Sequence, residues 1–113
     1  ITPTDTANKL KIEVVCRLAS SNATRPYLAA ALFQDTTAGA LAAMFHRVSD
    51  NSANKGDCIT FTHWMTAGTV SSTTFRVRAG ADTAGTTTFN GASSNRLLGG
   101  VLASSITITE YKV

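Results

Sequence analysis

The chain has 113 residues, with 10 Lys and Arg against 7 Asp and Glu, a net charge of +3, and 15% charged against 43% hydrophobic residues. That length holds one domain with one core, and low charge with evenly spread apolar residues argues against a disordered chain. No apolar run reaches the roughly 18 residues of a membrane-spanning helix, and the basic residues from Lys9 to Lys112 are scattered, without the cluster or stripe of a nucleic-acid surface.

The polar surface is built from hydroxyls, because 18 Thr and 10 Ser far outnumber the charged groups, and 17 Ala dilute the apolar fraction with small side chains. Thr is stiff at χ1 and suits a pleated surface, so the composition favours strands. Residues 9–19 alternate cleanly, with Leu10, Ile12, Val14, Cys16 and Leu18 on one side and Lys11, Glu13, Val15 and Arg17 on the other. A loop over 20–26 leads to a strand over 27–34, and the DTTAG break at 35–39 turns the chain into a third strand over 40–48. The alanines of these two strands would let neighbouring subunits approach closely.

Residues 49–57 read as a loop, and 58–65 as a strand with Ile59, Phe61, His63 and Met65 on one face and Thr60, Thr62 and Trp64 on the other. The next strand, 73–79, turns Phe75, Val77 and Ala79 inward and Thr74, Arg76 and Arg78 outward. After a loop at 80–85 comes a short strand over 86–89, then Asn90-Gly91, a dipeptide suited to a tight turn with positive φ. In the last strand Ser105, Thr107, Thr109 and Tyr111 alternate with Ile106, Ile108 and Glu110. About seven or eight short strands without a helix predict an all-β fold, an antiparallel β-sandwich of jelly-roll type, as one domain over 1–113. The five Phe, at 33, 45, 61, 75 and 89, are expected in its core.

Strand parity puts Cys16 inward and Cys58 outward, which argues against a disulfide, and neither has a His or Cys at metal-ligand spacing. Asp50, Asn51, Asn54 and Asp57 could offer oxygens to calcium, but a solvated turn with Lys55 in its middle is the favoured reading. Asn22-Ala23-Thr24 matches a glycosylation acceptor, a triplet common by chance. His46 and His63 are the only histidines, no G-x-S-x-G motif occurs, and Glu13, Glu110 and the five Asp form no obvious pair, so no enzyme activity and no cofactor are expected. The histidines are expected to be hydrogen-bonded within or beside the core. An outward Trp64 beside Thr60 and Thr62 is the most informative feature, suited to a sugar ring or, preferably, to burial against another subunit; Tyr27 is a further candidate for the same contact.

The opening ITPTDTANKLKIEV and the later TTFRVRAG, TTTFNG and RLLGGVLASSITITEYKV resemble a domain found at the C-terminal end of bacteriophage tail fibres and related virion appendage proteins. In that family an ITPT-type segment leads into the first alternating strand and an SSITITE-type strand closes the domain. The resemblance implies a trimeric jelly roll on the plan of the complement C1q and tumour-necrosis-factor domains, with the interface built from one sheet of each subunit. It implies a homotrimer at a fibre tip, made in bacterial cytoplasm and residing in the virion, with other virion proteins and a host-surface glycan or protein as partners. The chain would then be the C-terminal piece of a longer polypeptide. A structural capsid decoration or head-fibre trimerisation module is the alternative reading, and a carbohydrate-binding module the weaker one.

Overall fold

Alternation sets the architecture. Leu10, Ile12, Val14, Cys16 and Leu18 are each at most 2% exposed, as are Leu28, Ala30 and Leu32 on a second strand, so two amphipathic strands must lie face to face. The computed structural model describes residues 1–113 and resolves this into nine strands: β1 (Lys9–Ser20), β2 (Tyr27–Gln34), β3 (Ala42–Arg47), β4 (Lys55–Thr66), β5 (Phe75–Ala81), β6 (Thr87–Phe89), β7 (Gly91–Ala92), β8 (Asn95–Arg96) and β9 (Ser105–Tyr111). A single 3-10 turn, Leu98–Gly100, is the one helical element, and no helix is long and apolar enough to cross a membrane.

In the first sheet β1 is central, with β4 along one side and both β6 and β9 along the other; the second sheet has the order β3-β2-β5. All pairings are antiparallel. The chain crosses between sheets four times: β1 pairs with β4 while the hairpin β2–β3 lies opposite, and β2 pairs with β5. These are two overlapping Greek keys, the wiring that jelly rolls use. The protein is an all-β antiparallel sandwich, with Val48, Ile59, Ala67 and Phe75 completing the core between the sheets. Each fully buried Leu or Ile contributes about 1.5–3 kcal/mol relative to exposure.

The pairing of β6 and β9 with one side of β1 has an unexpected consequence. Phe89 sits opposite Leu18 and Ser105 opposite Val15, so the two strands are collinear halves of one edge strand, interrupted opposite Arg17. The Asn90 N–H donates to the Arg17 carbonyl at 3.0 Å. The Arg17 N–H donates to the Ser104 hydroxyl at 3.1 Å, and that hydroxyl donates to Asn90 Oδ1 at 2.7 Å. A serine side chain thus replaces a backbone carbonyl of the ladder, and the residues between leave the sheet as a separate excursion carrying the β7–β8 hairpin. Leu97, Leu98 and Val101 are exposed on it, with Leu98 at φ 53°.

The ends of the chain are tied together by polar groups. Glu110 Oε1 accepts from the Thr4 N–H at 2.8 Å, the Thr4 hydroxyl at 2.9 Å and Asn8 Nδ2 at 2.7 Å. Asn8, only 4% exposed, also accepts at Oδ1 from the Val113 N–H, so its burial is compensated.

Several expectations change. The tight turn falls on Ser93-Ser94, both with positive φ (52° and 63°), between Ala92 and Asn95. Gly91 instead serves a close approach: a Cβ there would lie 1.8 Å from the Asn95 carbonyl oxygen. The strand expected over 58–65 begins at Lys55, because pairing with β1 continues to Ser20, and Asp57 therefore belongs to the strand and not to a loop. Of the five Phe, only Phe75 is buried and Phe61 packs partly against the core. Phe45 registers beside the outward Ala29 and is 62% exposed, Phe33 takes the outward parity of β2, and Phe89 lies at the uncovered edge with 40% exposure.

Candidate functional site

Each sheet has an outer face, and the two are differently furnished. On the first sheet, period-2 parity turns Thr60, Thr62, Trp64 and Thr66 of β4 outward beside Lys9, Lys11, Glu13 and Val15 of β1 and Ser105, Thr107, Thr109 and Tyr111 of β9. Register places Trp64 opposite Lys11 and Tyr111 opposite Lys9. The two large rings therefore reach over β1 from opposite sides and meet with centroids 5.2 Å apart at an interplanar angle of 39°. They remain 53% and 44% exposed.

The charges on this face are tied down by neighbouring side chains. Lys11 Nζ lies 2.8 Å from Glu13 Oε1 and 6.0 Å from the Trp64 ring centroid, and the hydrogen bond to Glu13 holds the Lys11 ammonium above its ordinary value. Lys9 Nζ donates to the Thr66 hydroxyl at 2.6 Å. What remains is a hydroxyl-covered sheet surface with one aromatic pair standing on it.

Of the residues singled out in the sequence, Trp64, Thr60 and Thr62 are brought together here. Tyr27 is not: it stands on the outer face of the second sheet, on the other side of the sandwich. Tyr111 was the missing partner. Its outward parity was legible in the sequence, but the neighbour relation between β9 and β1 that carries it to Trp64 was not.

On the second sheet, Leu28, Ala30 and Leu32 face the core, so Tyr27, Ala29, Ala31 and Phe33 face outward. Their lateral neighbours are Arg47, Phe45 and Ala43 on β3 and Gly80, Arg78 and Arg76 on β5. Tyr27 and Phe45 meet edge to face at 5.2 Å, the Arg47 guanidinium lies 5.1 Å from the Tyr27 ring centroid, and Arg78 lies 5.0 Å from that of Phe33. A shallow concavity of about 400 Å³ runs over Ala29, Ala31 and Gly80, and Phe33 and Arg78 separate it from a second of about 340 Å³ that continues to Asp35 and Thr37.

Cys16 is buried and Cys58 exposed, on opposite faces as parity required, and both are free. Burial pushes the Cys16 thiol above its ordinary value, opposed by a hydrogen bond with Ser104. His46 Nε2 lies 3.0 Å from Asp57 Oδ2 at the β3–β4 edge, which occupies a carboxylate considered for calcium. The His63 side chain, half-buried opposite Ile12, makes no hydrogen bond, contrary to expectation, because its neighbours on that face of β4 are Phe61 and Met65. Asn22 Oδ1 accepts from the Thr24 N–H and hydroxyl and so closes its own turn. No group of three His, Cys, Asp or Glu side chains is placed to hold a metal ion.

Fold and surface together define an antiparallel β-sandwich that presents its chemistry on two open sheet faces. Comparison with protein-family models, with curated proteins and with solved structures finds no match to the chain.

Proposed function

We propose that this domain is a non-enzymatic assembly and recognition module of a bacteriophage appendage, in which three copies associate through the outer face of the first sheet and display the second sheet to the host surface. One observation carries this reading: Trp64, Tyr111 and Val15, at 53%, 44% and 38% exposure, stand together on a sheet surface where Lys11 is paired with Glu13 and Lys9 is hydrogen-bonded to the Thr66 hydroxyl. Trp and Tyr are the residues enriched at protein interfaces. The thin core adds weight, since only 19 of the 113 residues are buried and many large apolar side chains remain for a neighbour to cover. Resemblance at both ends of the chain to virion appendage domains supplies the trimer and the setting. Three sites on one tip would raise effective concentration, so each contact needs little affinity.

The test is absolute mass by light scattering over a range of concentrations. A species of three times 11.8 kDa, reduced to the single chain in Trp64→Arg with the fold intact, is the expected result. A wild-type protein that stays at 11.8 kDa at the highest concentration overturns the assembly. The tilted Trp64–Tyr111 pair among hydroxyls favours a second reading, a carbohydrate module stacking a sugar on those rings. That reading predicts a monomer whose Trp64 fluorescence responds to neutral saccharide.

A further inference from the structure

The outer face of β3-β2-β5 combines three features. Its floor is made of Ala29, Ala31 and Gly80, and a Cβ added at Gly80 would meet nothing within 4 Å, so the space above it is open. Arg78 lines this space and Arg47 lies just outside it, against the lining residue Tyr27; their guanidinium groups sit on the Phe33 and Tyr27 rings and make no ion pair. Arg76 donates to the Asp35 carbonyl, and it too has no carboxylate within salt-bridge distance. One carboxylate stands at each end, held by neutral donors: Asp82 Oδ1 accepts from the Tyr27 N–H, and the Asp35 carboxylate accepts from the Thr73 hydroxyl and the Thr74 N–H, so the three arginines outnumber the acids on this face.

We infer that this groove binds an acidic polysaccharide, with carboxylate, sulfate or phosphate substituents received by Arg47 and Arg78 and sugar rings lying over the alanine and glycine floor. A guanidinium immobilised on an aromatic ring keeps its donor edges free and has already lost rotamer freedom, which suits two-point recognition of an anionic group. Arg47 lies in the row of Tyr27 and Arg78 in the row of Ala31, so their backbones are about 13 Å apart along the strand, and the Arg78 guanidinium reaches on to the Phe33 ring. Charges that far apart match a repeating polymer and not one small anion. Single-stranded nucleic acid fits less well, because bases need free ring faces and a guanidinium competes for the ring of Tyr27 and of Phe33. An acidic peptide fits less well too, since β2 is central and its backbone groups are spent on β3 and β5.

The inference rests on the reading of the domain as a surface-recognition module but not on its oligomeric state. The test is calorimetric titration of the full chain with dextran sulfate, with uncharged dextran and a thymidine oligonucleotide as comparison probes. Dextran sulfate is expected to bind and dextran not to. Arg47→Gln/Arg78→Gln should weaken binding by about tenfold or more. Gly80→Leu, which leaves every charge in place and fills the groove, should weaken it comparably with its melting temperature unchanged. Lys55→Gln/Lys112→Gln, an equal charge loss away from this face, should change affinity by less than about twofold. Equal weakening by the lysine pair would mean diffuse attraction and overturn the proposal, as would binding unaffected by Gly80→Leu or tighter binding of the oligonucleotide. Self-association abolished by Gly80→Leu would show that another copy covers the groove, and would overturn it as well. A monomeric mass with dextran sulfate binding intact would instead remove the assembly alone.

Discussion

The interruption opposite Arg17 makes a sharp prediction, because one hydroxyl bridges Arg17 and Asn90 across it. Ser104→Ala removes a donor to Asn90 Oδ1 at 2.7 Å and the acceptor of the Arg17 N–H at 3.1 Å. A hydrogen bond contributes about 0.5–1.5 kcal/mol net, and a partly buried N–H left without a partner costs about 1–3 kcal/mol. The expected loss is about 2 kcal/mol, read as a lower urea midpoint with unchanged slope and a melting temperature lower by roughly 10 °C. Ser105→Ala, one residue along and facing solvent, should stay within about 0.5 kcal/mol. Asn90 has φ 57°, so Asn90→Gly removes its side chain without backbone strain. The double variant should then lose less than the two single losses together, with a coupling of at least about 0.5 kcal/mol. Hydrogen exchange at the Arg17 amide should quicken in Ser104→Ala. A loss below about 0.5 kcal/mol, or an unchanged Arg17 exchange rate, would refute the reasoning.

Two further outcomes follow from other contacts. Gly56→Ala should cost at least about 2 kcal/mol in the same denaturation assay, since its Cβ would lie 1.8 Å from the Leu18 carbonyl oxygen and 2.5 Å from Ala19 Cα, both backbone atoms; a variant as stable as wild type would contradict the β1–β4 register. Hydrogen bonds from Asn8 and Thr4 hold the Glu110 carboxyl below its ordinary 4.5, and those from the Thr74 N–H and Thr73 hydroxyl hold Asp35 below 3.8. Their contribution is therefore full above the unfolded carboxylate range and is lost as pH falls below about 4. Glu110→Gln and Asp35→Asn should each lower stability at neutral pH and flatten the acid limb of a stability-versus-pH curve, and an acid limb identical to wild type would count against these clasps.

What could be read in the sequence was local parity. The alternation of β1 predicted which side of Leu10 to Leu18 is buried, the same rule separated Cys16 from Cys58, and Trp64 fell outward with Thr60 and Thr62. Parity is a property of one strand, so it transfers directly. Placement across strands is set by pairing, and there the sequence was silent: it grouped Tyr27 with Trp64, although β2 and β4 lie in different sheets. Phe45 shows the limit from another side. Ring size suggested core packing, but the register of β3 against Ala29 turned it to solvent. The aromatic contacts of Arg47 and Arg78 required both parity and register, and no single stretch of sequence contained them. Asn90-Gly91 misled because turn propensity describes a dipeptide alone, whereas here Asn90 anchors a side-chain bridge and Gly91 admits a neighbouring carbonyl.

The interrupted edge strand also bears on how this fold can vary. Asn90 and Ser104 are joined side chain to side chain, so the stretch between them is an Ω-shaped loop whose mouth is already closed and whose stem is held by the Arg17 backbone. Doubling the length of such a loop costs only about 0.6 kcal/mol in closure entropy. The register of β6 and β9 is set on either side of it by separate ladders with β1. The sandwich therefore carries a built-in insertion port: one place on its perimeter where segments can be lengthened, shortened or exchanged while both sheets, and the faces they present, stay in frame.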